Sequence, residues 1–315
     1  MLNNSEMLEE YLIEAEDDGR LSFRKDLPLS SISTFRIGGN ASFCIYPDSA
    51  DELASLCALC RGFSIPFMVV GNASNLLFDD SGYEGAVIFS TGLNGIKIEG
   101  NELTAESGVS VTHLASVASR AGLSGLEFAY GIPGSVGGAV YMNAGAYGGE
   151  FKDVVKSVSY YDIEADEFCT CDLSGCRFGY RESSFQNGDR VILSMTVSLT
   201  PCDPDNAVRQ MEEYMQRRKD KQPLDYPSAG SVFKRYPGYY TGQLIEEAGL
   251  KGFSIGGAQV SEKHAGFIIN RENATCKDVL DLIAYVKDAI KSSVGIELNC
   301  EVKYIKNPAK VDTEN

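Results

Sequence analysis

GLSGLEFAYGIPGSVGGAVYMNAGAYGG, residues 122–149, is the stretch of this sequence from which the fold is best worked out. It holds nine of the chain's 32 glycines in 28 residues. Glycine loses the most backbone entropy on folding, so such a cluster requires a local reason: left-handed backbone or the close approach of another group. The densest part, Gly131–Gly138, predicts uncovered backbone N–H groups at Gly134, Gly137 and Gly138, a geometry that cradles phosphate. A loop-rich stretch packed tightly against a sheet explains the same composition.

Length and charge restrict the classes of protein that the chain can belong to. Its 315 residues exceed most single cores, which predicts two or three subdomains. The formal net charge of −16 argues against a nucleic acid or an anionic membrane as partner. No run approaches 18 apolar residues, so no membrane span is expected. The first 20 residues are acidic and unlike a signal peptide, which predicts a cytoplasmic protein.

The nine cysteines are expected to be reduced thiols in that compartment. Cys57 and Cys60 have redox spacing, but they share one predicted helical face with Leu53 and Leu56, which favours packing inside the core. No group of cysteines and histidines has structural-zinc spacing, so no metal site is predicted.

Local sequence patterns predict a chain that contains both helices and strands. A polar helical segment at residues 1–24 precedes the folded body. Further helices are predicted at 48–61, 112–121, 205–219 and 275–292, the last with a capping box at its start. Strands are predicted at 41–46, 66–70, 86–90 and 296–305, with a hairpin at 96–106, a meander at 154–162, 167–172 and 191–199, and a linker at 201–204.

A second small-residue loop, Gly71–Asn75, follows the predicted buried strand 66–70. A strand that ends in such a loop is a common phosphate-cradling arrangement. An ordinary β-turn rich in Asn and Gly fits the same residues.

Four polar side chains elsewhere have both a functional and an ordinary interpretation. Arg181 is a candidate anion contact or a surface arginine, and Glu301 is a candidate site residue or a solvated strand glutamate. Ser231 has no hydrolase motif around it, so a working serine there is better suited to donate a proton than to attack an acyl group. His264 is a ligand contact or a loop histidine with satisfied hydrogen bonds, whereas His113 is interpreted as a helix residue.

In this order, these pieces resemble the UDP-N-acetylenolpyruvoylglucosamine reductase family from about Ser31 to Ile305. Each motif is weak alone, and their combination is specific. The motifs are Thr34–Gly39, Val70–Leu77, Gly131–Gly138, Met142–Gly148, Phe178–Ser184, Ala229–Lys234, Leu244–Gly252 and Glu301–Lys303. The uninterrupted chain is similar to the family's second type, which lacks an inserted loop with a substrate-covering tyrosine.

The resemblance implies an α+β fold of the vanillyl-alcohol-oxidase-like class, with FAD held between two subdomains and a C-terminal α+β substrate domain. The implied boundaries are residues 1–30 for an N-terminal helical segment, 31–100 and 101–200 for the FAD-binding subdomains, and 201–315 for the substrate-binding domain. A monomer or weak dimer is expected.

The resemblance also implies an activity. NADPH delivers hydride to FAD and leaves, and the enolpyruvyl ether of a UDP-sugar then takes hydride at C3 and a proton at C2. Arg181 and Glu301 match family positions that stabilise the intermediate, and Ser231 matches the proton donor. Two rival readings stay open: a related flavin oxidase, and a catalytically silent nucleotide-binding protein on the same fold.

The remaining sites are assigned by resemblance. The implied cofactor-binding residues are Gly71, Asn72, Ala73, Ser74, Asn75, Gly131, Ile132, Pro133, Gly134, Ser135, Gly137, Gly138 and Asn143. The implied substrate-binding residues are Lys234, Arg235, Tyr180, Gln243 and His264. The first loop usually contains more glycine than this one, so Asn72 and Ala73 are expected to avoid strained φ angles.

Overall fold

The computed structural model describes residues 3–311 and divides the chain into two compact units. The described residues of the first unit are 3–25, 43–72 and 85–217, and those of the second are 26–42, 73–84 and 218–311. Each unit is therefore assembled from separate segments of the chain. The predicted domains, in contrast, are consecutive stretches: 1–30, 31–100, 101–200 and 201–315.

The helices and strands of residues 3–311 follow in chain order. The α-helices are α1 Asn4–Asp17, α2 Ala50–Gly62, α3 Val111–Arg120, α4 Val136–Tyr141, α5 Pro204–Lys221, α6 Thr241–Glu247, α7 Cys276–Val294 and α8 Pro308–Val311. The strands are β1 Leu21–Pro28, β2 Asn40–Pro47, β3 Phe67–Val70, β4 Leu76–Phe78, β5 Tyr83–Phe89, β6 Ile96–Glu99, β7 Glu102–Glu106, β8 Leu123–Ser124, β9 Gly145–Ala146, β10 Gly149–Glu150, β11 Val155–Asp162, β12 Glu167–Asp172, β13 Arg190–Ser198, β14 Thr200–Pro201, β15 Ser228–Ser231, β16 Ser254–Ile255, β17 Ala258–Val260, β18 Phe267–Asn270 and β19 Lys303–Ile305.

The first unit contains a four-stranded sheet with strand order β1-β2-β5-β3, in which β3 and β5 run parallel. Helices α1 and α2 bury their apolar faces in the same core as this sheet. Ser49 caps the start of α2, because its side chain accepts a hydrogen bond from the N–H of Glu52. The predicted polar helix covers only α1, since the residues that follow it form β1.

Cys57 and Cys60 confirm the packing interpretation of this pair, since both side chains are fully buried in the core of α1, α2 and the sheet. Burial disfavours the thiolate, which raises the pKa of Cys57 strongly and that of Cys60 to about 12. These thiols are inert packing groups at neutral pH.

The first unit also holds a five-stranded antiparallel sheet with strand order β12-β11-β13-β7-β6. The predicted hairpin is β6 and β7, and the predicted meander is β11, β12 and β13. The glycine-rich stretch packs on the core of this sheet through Phe128, Val136 and Val140, among others. Close packing is therefore one reason for its small residues. The predicted linker at 201–204 is wrong, because Thr200–Pro201 pairs with β8 and α5 begins at Pro204.

The second unit contains an antiparallel sheet with strand order β15-β18-β17-β16, and α7 packs beside it. Thr275 caps α7 through the predicted capping box with Asp278. The helix buries one apolar stripe, as its periodicity indicates: Val279, Leu282, Ile283, Val286 and Ile290. Strand β19 pairs in parallel with β4.

Two further findings concern the described part of the chain. None of the helices in residues 3–311 combines the length and apolar character that crossing a bilayer requires. Within the same residues, no three His, Cys, Asp or Glu side chains are grouped so that they could hold a metal ion.

Candidate active site

Two glycine loops approach each other closely in the first unit. Gly71 follows β3, and an ideal Cβ atom at Gly71 would lie 1.9 Å from Oγ and 2.8 Å from Cβ of Ser135. The Asn72 amide donates a hydrogen bond of 3.3 Å to the carbonyl of Pro133. Only glycine fits at position 71, because any side chain would displace the second loop. The structure thus brings together two stretches that are sixty residues apart in sequence and were predicted to share one ligand.

The second loop offers fewer N–H groups than its glycine content predicts. The prediction of uncovered N–H groups at Gly137 and Gly138 is wrong, since the first donates to Ser107 O (2.8 Å) and the second to Oγ of Ser135 (3.3 Å). Three more N–H groups of the loop have acceptors: Gly131 with Thr112 Oγ1, Ile132 with Ala129 O, and Val136 with Val109 O. Gly134 and Ser135 are left, and their N–H groups have no acceptor within residues 3–311.

The first loop is richer in available donors. None of the backbone N–H groups of Gly71–Asn75 has an acceptor in the described part of the chain. Ala73 has φ 48° and is buried, so the expectation that this residue avoids a strained φ is wrong. A residue in the left-handed region turns successive N–H groups towards one side, the nest geometry that binds anions. The loop therefore offers N–H donors of the kind that can bind an anion.

Asn75, at the end of this loop, is tied to Glu301 in the second unit. Its amide donates 3.1 Å to the carbonyl of Glu301, and its carbonyl accepts 3.0 Å from the N–H of Lys303. Glu301 in turn donates its N–H to Val232 O at 2.7 Å. Because Val232 directly follows Ser231, two of the three predicted catalytic residues lie on hydrogen-bonded neighbouring segments.

The local backbone around these residues is irregular. The predicted strand at 296–305 is wrong over most of its length, since only Lys303–Ile305 forms a strand and Glu301 precedes it. Ser231 ends β15 opposite Phe267, after an irregularity in the pairing at which Gly230 has φ 75°. A bulge at this place re-aims the side chain that follows it. Both side chains are half-buried.

Arg181 lies in a short turn of the first unit with φ 58°. Its guanidinium donates to the carbonyl oxygens of Asn143 (3.4 Å) and Gly145 (3.1 Å) and lies 5.1 Å from the ring centre of Tyr180. Backbone carbonyls of the glycine-rich stretch thus fix the guanidinium. A fixed guanidinium is suited to bind a carboxylate.

Apart from Tyr180, the predicted substrate-binding residues lie in the second unit. The backbone of Lys234 is hydrogen-bonded to Asn299 O, and Arg235 packs its guanidinium over the Tyr240 ring at 5.3 Å. Gln243 is exposed on α6 and donates to Glu247 at 2.7 Å.

His264 lies shortly before β18, the strand that pairs with β15 and so positions Ser231. Beside this pairing, the N–H of Val232 donates to Gly266 O. The N–H of Gly266 donates to Nδ1 of His264 at 3.1 Å, so the proton of the neutral imidazole is on Nε2. Burial lowers the pKa of His264 below its ordinary value of 6.5. The side chain is therefore a neutral hydrogen-bonding group at pH 7.

Two residues of the site were missed from the sequence. Thr112 Oγ1 accepts from the N–H of Gly131 and donates to Ile132 O, which holds the start of the second loop. The Glu150 carboxylate accepts from the Asn143 amide at 3.0 Å and from Lys152 Nζ at 2.7 Å. Glu150 directly follows the glycine-rich stretch in the sequence, but its contacts depend on how the chain turns there, which the sequence does not show.

Comparison with known proteins gives consistent results for both parts of the chain. A family model described as "FAD binding domain" matches residues 41–171. A second one, "UDP-N-acetylenolpyruvoylglucosamine reductase, C-terminal domain", matches residues 222–305.

Full-length relatives carry the same name. The UDP-N-acetylenolpyruvoylglucosamine reductase of Caldanaerobacter subterraneus subsp. tengcongensis is 46% identical over 301 residues, which cover 96% of this chain and 99% of the relative. That of Clostridium perfringens is 44% identical over 280 residues, 89% of this chain and 92% of the relative. The crystal structure of the Thermus caldophilus reductase matches with a TM-score of 0.77 at 32% identity, covering 90% of this chain and 98% of that one.

Proposed function

The chain belongs to the UDP-N-acetylenolpyruvoylglucosamine reductase family, and we propose that it uses NADPH and FAD to reduce the enolpyruvyl group of a UDP-sugar during peptidoglycan precursor synthesis. It is an FAD-dependent oxidoreductase. The predicted fold class is confirmed: an FAD-binding fold is followed by a C-terminal α+β substrate domain.

The observation that carries this proposal is the set of unsatisfied N–H groups in the two adjacent glycine loops. The N–H groups of Gly71 and Asn72 and those of Gly134 and Ser135 belong to two loops that contact each other in the first unit. Residues 73–75 of the first loop add three more N–H groups that have no acceptor in the described part of the chain. Main-chain N–H groups bind a dianion without a cluster of lysines, which suits a protein with a net charge of −16. When bound, FAD supplies hydride transfer, from NADPH to its N5 and from N5 to C3 of the substrate.

Arg181 is proposed to stabilise the negative charge that develops on the substrate. As C3 accepts hydride, charge moves to C2 and the adjacent carboxylate. A guanidinium already held by the carbonyls of Asn143 and Gly145 needs no reorganisation when that charge appears. Preorganised donors of this kind are worth about 3–4 kcal/mol in the transition state.

Ser231 and Glu301 are proposed to complete the reaction at C2. Ser231 donates the proton, and Glu301 stabilises the intermediate from the neighbouring segment. An unassisted serine hydroxyl is a weak acid, so it acts only on a strongly basic carbanion or through a coupled group. General acid catalysis of this kind contributes about 10²–10⁴-fold to the rate.

Other assignments complete the proposal. Lys234 and Arg235 bind the substrate diphosphate, and Tyr180, Gln243 and His264 supply further substrate contacts. A cytoplasmic location and a monomeric or weakly dimeric state stay predictions.

The Ser231→Ala variant tests the proton-donor role. Reduction of the bound flavin by NADPH is expected to keep its rate, because no proton is delivered to C2 in that half-reaction. Reoxidation by the enolpyruvyl substrate is expected to slow by about 10²–10⁴-fold. Stopped-flow absorbance of the flavin measures both half-reactions separately.

The matched control is Ser228→Ala, which removes a hydroxyl from the other end of the same strand. Both half-reactions should keep their rates in this variant. Equal slowing of the two half-reactions in Ser231→Ala would mean that the proton-donor role is wrong.

A further inference from the structure

Asn143, predicted above as a cofactor-binding residue, is entirely inside the protein. Its exposed fraction is 0%, and its backbone has φ 40°, in the left-handed region. Asparagine tolerates this region better than other non-glycine residues, because its short polar side chain forms local hydrogen bonds. The position therefore requires a special backbone and a buried amide at the same time.

The side-chain amide of Asn143 has a protein partner for each of its groups. Nδ2 donates to Glu150 Oε2 at 3.0 Å and to Gly179 O at 2.8 Å. Oδ1 accepts 2.9 Å from the N–H of Lys152. Both amide hydrogens are used and the residue has no exposed surface, so an acceptor on a cofactor could reach this amide only if one of these bonds broke and the residues covering it moved. The amide instead connects the glycine-rich stretch to the turn that carries Arg181.

The Arg181 guanidinium returns to the same place. Two of its hydrogen bonds go to the carbonyl oxygens of Asn143 and Gly145, which lie in the segment that the Asn143 amide helps to fix. Glu150 completes the network as a carboxylate. Burial alone would raise the pKa of Glu150, but the Lys152 hydrogen bond, the Asn143 amide and the charge of Arg181 together lower it.

We propose that Asn143 is a positioning residue for the reduction of the substrate: through its buried amide, it sets the carbonyls that aim the Arg181 guanidinium. The inference deepens the proposed function and rests on the role of Arg181 in it. It replaces cofactor contact as the reason for an asparagine at this position. Glu150 helps to hold the same amide, because its carboxylate accepts a hydrogen bond from Asn143 Nδ2.

The Asn143→Asp variant is the first test. Aspartate has nearly the same shape and also tolerates positive φ, but it cannot donate to Gly179 and it places a second carboxylate against Glu150. Reoxidation of the flavin by substrate is expected to slow by up to about 10²-fold, the cost of a misplaced catalytic group. Reduction by NADPH and the dissociation constant for FAD are expected to stay within twofold. Weakened FAD binding with both half-reactions slowed alike would overturn the inference.

A double-mutant cycle with Arg181→Ala separates positioning from a general structural effect. If Asn143 acts through the guanidinium, Asn143→Asp adds no further slowing in the Arg181→Ala background. Full additional slowing there would overturn the positioning role while leaving the role of Arg181 intact. If Arg181→Ala itself does not slow reoxidation, the proposed role of Arg181 fails and the inference fails with it.

Two more variants keep the test decisive. Asn101→Asp makes the same chemical change in the exposed turn between β6 and β7, and it should leave both half-reactions unchanged. If Asn143→Asp does not fold, Glu150→Gln removes one charge and keeps an acceptor for the amide. It should slow reoxidation alone, and to a smaller extent. Unchanged reoxidation in Glu150→Gln would overturn the inference.

Discussion

Gly71→Ala tests the contact between the two glycine loops. The new methyl carbon would lie 1.9 Å from Oγ and 2.8 Å from Cβ of Ser135, both far inside van der Waals contact. Rotating the hydroxyl away removes only the first clash, and it also costs a helix cap, because this oxygen accepts from the N–H of Gly138 at the start of α4. The second clash moves the loop itself.

The expected loss of stability follows from the typical costs of these two disturbances. Overpacking of a tight contact costs typically about 1–3 kcal/mol. Loss of a serine N-cap costs about 1 kcal/mol more. Gly71→Ala is therefore expected to lower the free energy of unfolding by about 2–4 kcal/mol and to weaken FAD binding, since the two loops proposed to hold the diphosphate move apart.

Ser135→Gly supplies the rescue. It removes both clashing atoms, and the next atom, Ser135 Cα, is 4.0 Å from the new methyl. Glycine at an N-cap costs only a few tenths of a kcal/mol relative to serine. The double variant should therefore be nearly as stable as Ser135→Gly alone. Gly62→Ala, at the end of α2 with no atom within 4 Å of its added Cβ, is the neutral control.

Urea unfolding of the parent protein and the four variants measures these energies, and quenching of flavin fluorescence measures FAD affinity. Additive losses in the double variant would mean that the two loops do not meet at these atoms, and would contradict the contact between Gly71 and Ser135.

Two further predictions concern titratable groups. The folded state holds His264 as a neutral imidazole with its pKa below 6.5, whereas the unfolded chain takes up a proton at about that pH, so stability should fall as the pH drops below about 6.5 and be level above it. His264→Gln should lose less stability than the parent protein between about pH 7.5 and pH 5.5, and parallel losses in urea unfolding would contradict this origin. Cys57 and Cys60, with their raised pKa values, should resist an aromatic disulfide reagent in the native protein and react after unfolding, while the partly exposed Cys169, Cys202 and Cys300 should react before them. Rapid native labelling of Cys57 would show that its burial is wrong.

The regular elements could be predicted from the sequence because their signals are local. Strands β11, β12 and β13 alternate apolar and polar residues, and the turn Gly100–Asn101 marks the hairpin of β6 and β7. The buried stripe of α7 follows directly from its periodicity. The segment 296–305 also alternates, but its hydrogen bonds go to Val232 and Asn75 from irregular backbone, and no local pattern shows such partners.

The sequence indicates which loops form the candidate site, but it predicts their geometry only in part. Glycine composition shows where Cβ atoms are absent, and that was enough to identify both loops. It does not show where an N–H group points, so Gly137 and Gly138 were expected to be uncovered, although Ser107 and Ser135 accept from them. The contact of Gly71 with Ser135 depends on residues far apart in the chain. Such contacts are fixed by tertiary packing, which a single sequence does not display.

The flavin spectrum of the purified protein tests the central claim most directly. We expect an oxidised-flavin absorbance that bleaches when NADPH is added anaerobically and returns when the enolpyruvyl UDP-sugar follows. That cycle identifies the cofactor, the reductant and the acceptor in one cuvette. A colourless protein that cannot be reconstituted with FAD, or a bleached flavin that the substrate does not reoxidise, would contradict the account.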